Sequence, residues 1–397
     1  MPGGDTAFVR RQVRGSDHAA AYRQVSAPHA RHVAAALNIH AGPKALAHLR
    51  QHGLRPQDIS IVAGAAGGPK GLILQALDQW LFGTWLPSAP RERMLIGASI
   101  GAWRMAAACH IDPVAAFQRL GALYCEQRYP HKPSAQYVSQ VCATLLHDYL
   151  GGHETEIVSH PHHRLQILTV RGRRLLNAPR RRLTTLAGFT AATLANTASR
   201  ARLAHHLERV VIGDPRDPAL WLKAKFDAFD THFAPLAADN VAQALLASGT
   251  LPFIMTPVVD VRHAPRGTYW DGGLIDYHLE LPYSRVADKP DGGLVLYPHF
   301  TDHIVPGWFD KTLPWRRAGR GPNRGWLDNV ILLSPSPAFL QTLTRNKLPD
   351  RKDFMYYGLD HDLRIKNWKL DIGESERLRD ELASFVADPD MRRVQPL

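Results

Sequence analysis

The chain repeats one local pattern twice within its first 110 residues: a short apolar strand, a glycine-rich loop and a helix. The first copy has a β-branched run at residues 59–63 (ISIVA), a loop at 64–71 (GAAGGPKG) and a helical pattern at 72–81. The second copy has an apolar run at 94–96 and a loop at 97–101 (GASIG), again followed by a helical pattern. Compact apolar runs that alternate with helices favour an α/β fold with buried, mainly parallel strands.

The second loop carries a candidate nucleophile. Ser99 stands at the centre of a GxSxG pentapeptide, directly before a helical pattern at residues 102–109. In this setting the flanking glycines let the serine hydroxyl project from a sharp turn, and the helix N-terminus stabilises the negative charge that develops there. The pentapeptide by itself is a weak signal, so the prediction depends on its strand-turn-helix context.

The first loop has the features of an anion site. A glycine-rich segment between a strand and a helix exposes backbone N–H groups at the positive end of that helix. The loop matches neither the GxGxxG dinucleotide fingerprint nor the nucleotide P-loop, because Lys70 follows Pro69 and precedes Gly71. A plain tight turn between strand and helix is the alternative interpretation of this loop taken alone.

Two later segments add to these motifs. Asp271 begins an Asp-Gly-Gly sequence after a strand-like run at residues 267–270, and residues 247–253 read ASGTLPF. Asp-Gly is among the commonest turn dipeptides, so Asp271 by itself would be interpreted as a turn residue. Only in combination with the two loops does it become a candidate for catalysis.

In their order and spacing, these segments resemble the patatin-like phospholipase family. That family has a GGxxG loop with a basic residue, here at residues 67–71, then GxSxG around Ser99 and a late DGG motif at Asp271. Its members often carry an Ala-Ser segment similar to residues 247–253. The resemblance covers about residues 57–280. It implies a three-layer α/β/α patatin-like fold with a central, mostly parallel sheet, and hydrolysis of phospholipid or lysophospholipid acyl esters by a Ser-Asp dyad.

The chain departs from the family pattern at two points. Ala66 stands where many members have another glycine, which leaves open which amide is the central oxyanion donor. Residues 274–278 (LIDYH) follow the DGG motif without the common Asn-Pro ending, so the outer wall of the pocket is undefined.

Ester cleavage requires a nucleophile, a base for its proton and donors for the oxyanion. With Ser99 as nucleophile, Asp271 is the candidate base, although its reference pKa lies about 2.6 units below that of histidine, a deficit of roughly 3.5 kcal/mol. Desolvation of the carboxylate would raise its pKa and close part of that gap. Pro69 has no N–H, so the oxyanion donors are drawn from the remaining loop amides: Gly67, Gly68 and Lys70.

An α/β-hydrolase with a Ser-Asp-His triad is a competing interpretation. Ser99, Asp271 and His361 stand in the required order along the chain. However, the chain contains 21 histidines, so one such match carries little weight. The elbow also follows the second strand pattern of the chain, whereas in α/β-hydrolases it follows several more strands.

The positive charge suggests a second alternative. The 397 residues include 48 Lys and Arg against 36 Asp and Glu, a net charge of +12, and six arginines lie between Arg171 and Arg182. Such a cluster attracts phosphates, which makes a non-catalytic anion-binding protein conceivable. No helix-turn-helix, zinc-finger or aromatic RNA-binding motif accompanies the cluster, so we expect no nucleic-acid partner.

Cofactors are not expected. The histidines at 153, 160, 162 and 163 lack a paired helical spacing such as HExxH, and we interpret them as solvated loop residues, with no metal site. The residues at 306–326 mix tryptophan with arginine, a composition that suits a membrane interface. We therefore expect a lipid ester as substrate and peripheral contact with anionic membranes, with a packed surface loop as the alternative for this segment.

The remaining expectations concern organisation. Residues 1–38 are interpreted as a flexible basic tail, and residues 39–397 as one acyl hydrolase domain with a C-terminal extension at 305–397. Three cysteines without CxxC spacing exclude a disulfide framework and favour a cytoplasmic, reduced environment. No stretch is long and apolar enough for a membrane span.

Overall fold

The computed structural model describes residues 34–177, 182–286 and 293–397. The N-terminal tail expected at residues 1–38 falls mostly outside this part. The first strand begins at Leu37, two residues before the expected domain boundary, because Leu37 pairs with Pro335 near the other end of the chain. Within these ranges, no helix has the length and apolar character needed to cross a membrane.

The described residues form strands with the following bounds: β1 (Leu37–Ala41), β2 (Ile59–Gly64), β3 (Arg93–Ala98), β4 (His163–Gly172), β5 (Leu207–Gly213), β6 (Thr231–Pro235), β7 (Val258–Val259), β8 (Thr268–Trp270), β9 (Leu294–Pro298), β10 (Val330–Pro335) and β11 (Val394–Pro396).

The α-helices of the same residues are α1 (Pro43–His52), α2 (Gln75–Trp80), α3 (Ile100–Ala107), α4 (Pro113–Cys125), α5 (Ala135–Leu150), α6 (Glu154–Ser159), α7 (Arg182–Ala198), α8 (Arg200–Leu203), α9 (Leu220–Lys223), α10 (Val241–Ser248), α11 (Pro337–Leu340), α12 (Lys352–Tyr357), α13 (His361–Glu374) and α14 (Glu376–Ala387). Two 3-10 helices border the site described below: Gly68–Leu74 and Gly272–Leu274.

The strands form one mixed sheet in the order β11-β1-β10-β9-β2-β3-β4-β5-β6. The five central strands, from β10 to β4, all pair in parallel. Antiparallel pairs flank this centre: β1 with β10 on one side, and β4 with β5 on the other. The expected central, mostly parallel sheet is confirmed.

Both faces of the sheet are covered. Alternate residues of one strand pack into different clusters: Ile331 and Leu333 join helices α1 to α5 and α14, whereas Leu332 packs on the opposite face. That second face is covered by α9 and by the segment around Tyr277 and Tyr283. A sheet buried on both faces explains why its strands are continuous apolar runs, and it confirms the three-layer α/β/α architecture.

The two local units predicted first are confirmed. Strands β2 and β3 are parallel neighbours, with Gly64 opposite Gly97 at their carboxyl ends. The two glycine-rich loops that follow these strands therefore emerge side by side at the same edge of the sheet. The helical pattern predicted from Leu72 begins as a 3-10 helix and becomes α2 only at Gln75.

Candidate active site

Ser99 lies at a sharp turn between a buried strand and a buried helix. Strand β3 ends at Ala98 and α3 begins at Ile100, which leaves Ser99 with φ 54° and ψ −130°. Such a conformation is strained for a non-glycine residue and costs on the order of 1–3 kcal/mol. The strain projects the hydroxyl at the helix N-terminus, as the GxSxG pattern predicts.

Two contacts hold the helix that carries this turn. A Cβ atom on Gly101 would lie 1.9 Å from the carbonyl oxygen of Gly64, so only glycine allows α3 to approach the end of β2 this closely. Three residues further along α3, the Arg104 guanidinium donates two hydrogen bonds of 2.7 Å to the carboxylate of Asp78 on α2. This buried ion pair fixes the orientation of α3 and with it the position of Ser99.

Asp271 reaches Ser99 through the sheet. Strand β8 pairs antiparallel with β4, with Trp270 opposite Val170, and β4 is the neighbour of β3. Asp271 directly follows β8 and is therefore brought to the turn that bears the serine. The Ser99 hydroxyl donates to Asp271 Oδ2 at 2.7 Å, and the Gly273 N–H donates to Oδ1 at 2.7 Å.

Burial makes the Asp271 carboxylate more basic. The side chain is 4% exposed, and desolvation raises its pKa from 3.8 to about 6. The hydrogen bonds from Ser99 and Gly273 and the positive charge of Arg351 act in the opposite direction. The resulting pKa is close to the reference value of about 6.5 for histidine, so most of the deficit in proton affinity expected for an aspartate base is absent.

Ser248 is a supporting residue that the sequence did not single out. Its hydroxyl accepts a hydrogen bond of 2.8 Å from the Ser99 N–H and donates one of 2.6 Å to the Leu168 carbonyl on β4. Two residues further on, the Thr250 carbonyl accepts a hydrogen bond from the Asp271 N–H. The ASGTLPF segment therefore contacts both Ser99 and Asp271. Its resemblance to the family segment was the signal that pointed to it.

The first loop runs beside this pair. Gly67 caps the 3-10 helix Gly68–Leu74, and Gly68 has a φ of +58°, which other residues rarely adopt. Gly67 and Gly68 line the same cavity as Ser99, whereas Lys70 is not among the lining residues. The Lys70 ammonium instead lies 5.3 Å from the centre of the Phe300 ring, and burial lowers its pKa.

Ser99 and Asp271 open into a cavity of about 960 Å³. Large apolar side chains supply much of its wall: Trp103, Val138, Leu186, Phe189, Leu251, Phe253, Leu274, Trp308, Phe309 and Phe354. Six apolar residues that line the cavity are also exposed to solvent, and we call them the apolar rim: Leu186, Phe253, Ile254, Trp308, Met355 and Leu359. A cavity of this size and lining suits an acyl chain.

His361 lies in the lining of the same cavity, at the first residue of α13. It does not stand between Ser99 and Asp271, because the serine hydroxyl contacts the carboxylate directly. A Ser-His-Asp triad needs the imidazole between those two groups. The observed geometry lacks that arrangement.

The arginine cluster is partly neutralised. Arg171 and Arg173 both donate to the carboxylate of Glu208, which is buried, and Arg173 also pairs with Asp230 at 2.6 Å. Arg180 and Arg181 lie outside the described residues. Arg171 and Arg173 are thus engaged in ion pairs, both of them with Glu208 on β5.

The tryptophan-rich segment at 306–326 has two environments. Trp308 belongs to the apolar rim and Trp315 is exposed, but Trp326 packs edge-on against Phe226 at 5.6 Å. Asp310 is fully buried and accepts hydrogen bonds from Arg200 and Arg316. The segment is therefore anchored at Asp310, with only part of it free to meet a surface.

Three of the four histidines that the sequence grouped lie together: the His160 ring stacks on His163 at 4.2 Å, and its Nδ1 accepts from the His162 N–H. His163 is buried, contrary to the expectation of a solvated loop residue, because it begins β4 and its Nδ1 lies 2.7 Å from the Ala108 carbonyl. His153 instead approaches His110 and Glu156, with one ligand-type atom from each within 4.8 Å of the others. His110 is 43 positions away in the chain, so no local spacing signalled this group. Glu156 also accepts from the Ile111 N–H.

Comparison with known proteins assigns the family. The family model for patatin-like phospholipases matches residues 67–278, more than half of the chain. The crystal structure of VipD from Legionella pneumophila is similar over 62% of this chain and 50% of VipD, with 13% sequence identity and a TM-score of 0.30, too low to support any structural argument. No curated protein matches the chain. The matched span includes Ser99, Asp271 and the loop glycines, and the chain belongs to the patatin-like phospholipase family, whose activity is in general that of lipid acyl hydrolases.

Proposed function

We propose that this protein is a serine acyl hydrolase that cleaves a carboxylic ester bond of a phospholipid or lysophospholipid, with Ser99 as nucleophile and Asp271 as base. One observation carries the proposal: the hydrogen bond of 2.7 Å from the Ser99 hydroxyl to a buried carboxylate at the wall of a largely apolar cavity. Family membership supports lipid acyl hydrolysis in general. The Ser99-Asp271 dyad and the phospholipid or lysophospholipid substrate are proposals that go beyond family membership.

The reaction proceeds in two halves. Asp271 takes the proton of the Ser99 hydroxyl as its oxygen attacks the acyl carbonyl, and a tetrahedral oxyanion forms. The ester C–O bond then breaks, and the leaving alcohol takes the proton from Asp271. In the second half Asp271 removes a proton from water as the water attacks the acyl-enzyme. The acyl C–O bond to Ser99 then breaks, the fatty acid leaves, and Asp271 returns the proton to the Ser99 oxygen.

Loop amides stabilise the oxyanion. Gly67, Gly68 and Lys70 were the predicted donors, and the first two line the cavity. In a 3-10 helix the residue three positions after the cap donates to the carbonyl of the cap, which here directs the Lys70 N–H toward Gly67. The Gly67 and Gly68 amides are therefore the better donors, each contributing about 3 kcal/mol to transition-state stabilisation.

The apolar rim supports contact with a membrane. It places Met355, which is 78% exposed, and Ile254, which is 50% exposed, around the mouth of the cavity. Apolar side chains that rim a lipid-accepting opening favour insertion into the headgroup region, and the net charge of +12 favours an anionic surface. We therefore assign the peripheral membrane contact to this rim, which includes Trp308, with no role for Trp326.

The decisive experiment measures hydrolysis of a short-chain acyl ester and of a lysophospholipid by Ser99→Ala, Asp271→Asn and His361→Ala. For the dyad, the first two variants lose at least about a thousandfold in kcat, and His361→Ala stays within about threefold. An equal loss in all three would favour the triad. A folded wild-type protein that hydrolyses no ester in a broad panel would instead favour the anion-binding alternative.

A further inference from the structure

One arginine at the cavity has no ionic partner. Two cations that precede it in the same segment are paired: Arg345 and Lys347 reach the carboxylate of Asp353 at 2.5 and 2.7 Å. In the parts of the chain that the structure describes, no carboxylate lies within 4.0 Å of the Arg351 guanidinium. A partly buried guanidinium without a partner is costly unless a ligand supplies the missing acceptors.

The position of Arg351 is close to the reacting groups. It lines the cavity together with Ser99 and Gly68. A Cβ atom placed on Gly68 would lie 3.7 Å from the Arg351 Cγ and 3.9 Å from its Cδ, so the side chain runs along the oxyanion loop. Its charge also reaches Asp271 and Tyr277, because it lowers the pKa of both groups.

The charges of the cavity wall favour an anion at this place. Among the described residues that line it, Lys132, Arg351 and Lys352 are basic, and Asp271 is the acidic residue. Asp271 is occupied by the hydrogen bonds from Ser99 and Gly273. The basic groups at the opening therefore have no acidic counterpart within the lining.

We propose that Arg351 binds the phosphate group of the lipid substrate and makes the enzyme selective for phosphate-bearing acyl esters over neutral ones. The inference rests on the proposed ester hydrolysis at Ser99 and adds a specificity-determining residue from outside the span matched by the family model. In a glycerolipid the phosphate is a few bonds from the scissile ester, and Arg351 stands beside the loop that would hold the oxyanion. The planar guanidinium can give two parallel hydrogen bonds to one phosphate.

The test compares two esters that differ only in the phosphate: dihexanoylglycerol 3-phosphate and dihexanoylglycerol, both as monomers, so that membrane binding does not enter. In Arg351→Gln, kcat/KM for the phosphate ester falls about 30-fold, and kcat/KM for the neutral ester stays within about threefold. Arg351→Lys loses less than Arg351→Gln, since it keeps the charge but not the bidentate geometry. The matched control is Arg50→Gln, an exposed arginine of α1 that is not among the residues lining the cavity.

A binding measurement separates this inference from the proposed function. In a Ser99→Ala background, Arg351→Gln should raise the Kd for dihexanoylglycerol 3-phosphate about 30-fold, with inorganic phosphate binding far more weakly to either form. If the wild type hydrolyses neither ester but this binding still depends on Arg351, the hydrolase proposal fails and the phosphate site stands. Equal losses on both esters, no loss on either, or inorganic phosphate binding as tightly as the ester would each overturn the role of Arg351.

Discussion

The cavity wall around Ser99 and Asp271 differs from the cavity mouth in burial and in the pairing of polar groups. Around Ser99 and Asp271 the side chains are buried and their polar atoms are paired, through Ser248 and Gly273. At the mouth the apolar rim is exposed, and within the described ranges no carboxylate lies within 4.0 Å of the Arg351 guanidinium. The first arrangement holds polar groups in buried hydrogen bonds, and the second leaves apolar side chains exposed around the opening.

This difference separates two tasks. Preorganised, desolvated groups lower the barrier of the chemical step, since they need no reorganisation as charge develops. Exposed apolar side chains and unpaired cations gain free energy only when a partner arrives. Changes among the reacting groups should therefore affect kcat on every ester, whereas changes at the mouth should depend on which substrate is offered and in what form.

The largest effect is expected at Asp271, the carboxylate proposed as the base. Asp271→Asn should lower kcat at least about a thousandfold on soluble and vesicular substrates alike, because no base remains for Ser99. The control is Asp388→Asn, at an exposed aspartate after α14, which should retain full activity. Retention of more than a tenth of the activity in Asp271→Asn would break the assignment.

The same substitution should stabilise the protein. Asp271 has a folded pKa of about 6 against 3.8, so the folded state holds its proton more tightly than the unfolded state. Ionisation then costs stability above pH 6, by roughly 3 kcal/mol at 1.36 per unit, and that cost vanishes as the pH falls toward 3.8. Urea unfolding of Asp271→Asn should show a gain of up to this size at pH 8 and little gain at pH 4.

The next prediction tests whether Ser248 positions Ser99. Ser248→Ala leaves the Ser99 N–H and the Leu168 carbonyl without their partner, which should lower the free energy of unfolding by about 1–3 kcal/mol. Displacement of the nucleophile should also lower kcat about 30-fold. Ser336→Ala is the matched control: this buried serine also makes two hydrogen bonds, but at the start of α11. It should lose stability and keep kcat; an equal fall in kcat would contradict the positioning role of Ser248.

A smaller effect is expected from pH. Because Asp271 acts in its ionised form and has a pKa of about 6, kcat/KM should be halved near pH 6 and reduced about tenfold at pH 5. The fall of kcat/KM at acid pH should be unchanged in His361→Ala. In Arg351→Gln it should shift to higher pH, because the arginine charge stabilises the ionised Asp271 carboxylate. If the fall at acid pH is lost in His361→Ala, the titrating group is the His361 imidazole and not Asp271.

The smallest effect tests the mouth alone. Ile254→Ser combined with Met355→Ser should weaken binding to anionic vesicles about fivefold and leave hydrolysis of a monomeric ester unchanged, because less apolar surface enters the headgroup region. The double variant Leu220→Ser with Leu370→Ser removes equally exposed leucines that do not line the cavity, and it should bind vesicles normally. If vesicle binding weakens equally in both double variants, the rim has no specific role in membrane contact.

The sequence predicted the chemical core of the site because its motifs are local. The turn that strains Ser99 requires glycines within two positions, and the loop at 64–71 requires glycines at its own contacts. Residues close together in the chain meet these requirements, so a short motif is enough to predict them. The pairing of Ser99 with Asp271, 172 positions away, came from the resemblance to a family, not from any pattern in the chain.

Other parts of the site could not be predicted in this way. Arg351 looks in sequence like Arg345 and Lys347, and only the position of Asp353 decides which of them are paired. Similarly, Asp276 and His278 are both buried, and Asp276 pairs with Arg209 at 2.6 Å, a contact that no motif in the sequence indicates. Pairing between distant charges depends on how the elements pack, which leaves no local trace in the sequence.

The sequence by itself determined the two strand-loop-helix units, the strained serine and the glycine-rich loop beside it, because short-range sterics and hydrophobic periodicity fix such features within a few residues. The tertiary structure alone decided that β8 lies against β4, and hence that Asp271 meets Ser99. It also decided how deeply that carboxylate is buried, which sets its pKa near 6. Burial and long-range pairing are properties of the packed chain, since they depend on every element that excludes water from the site.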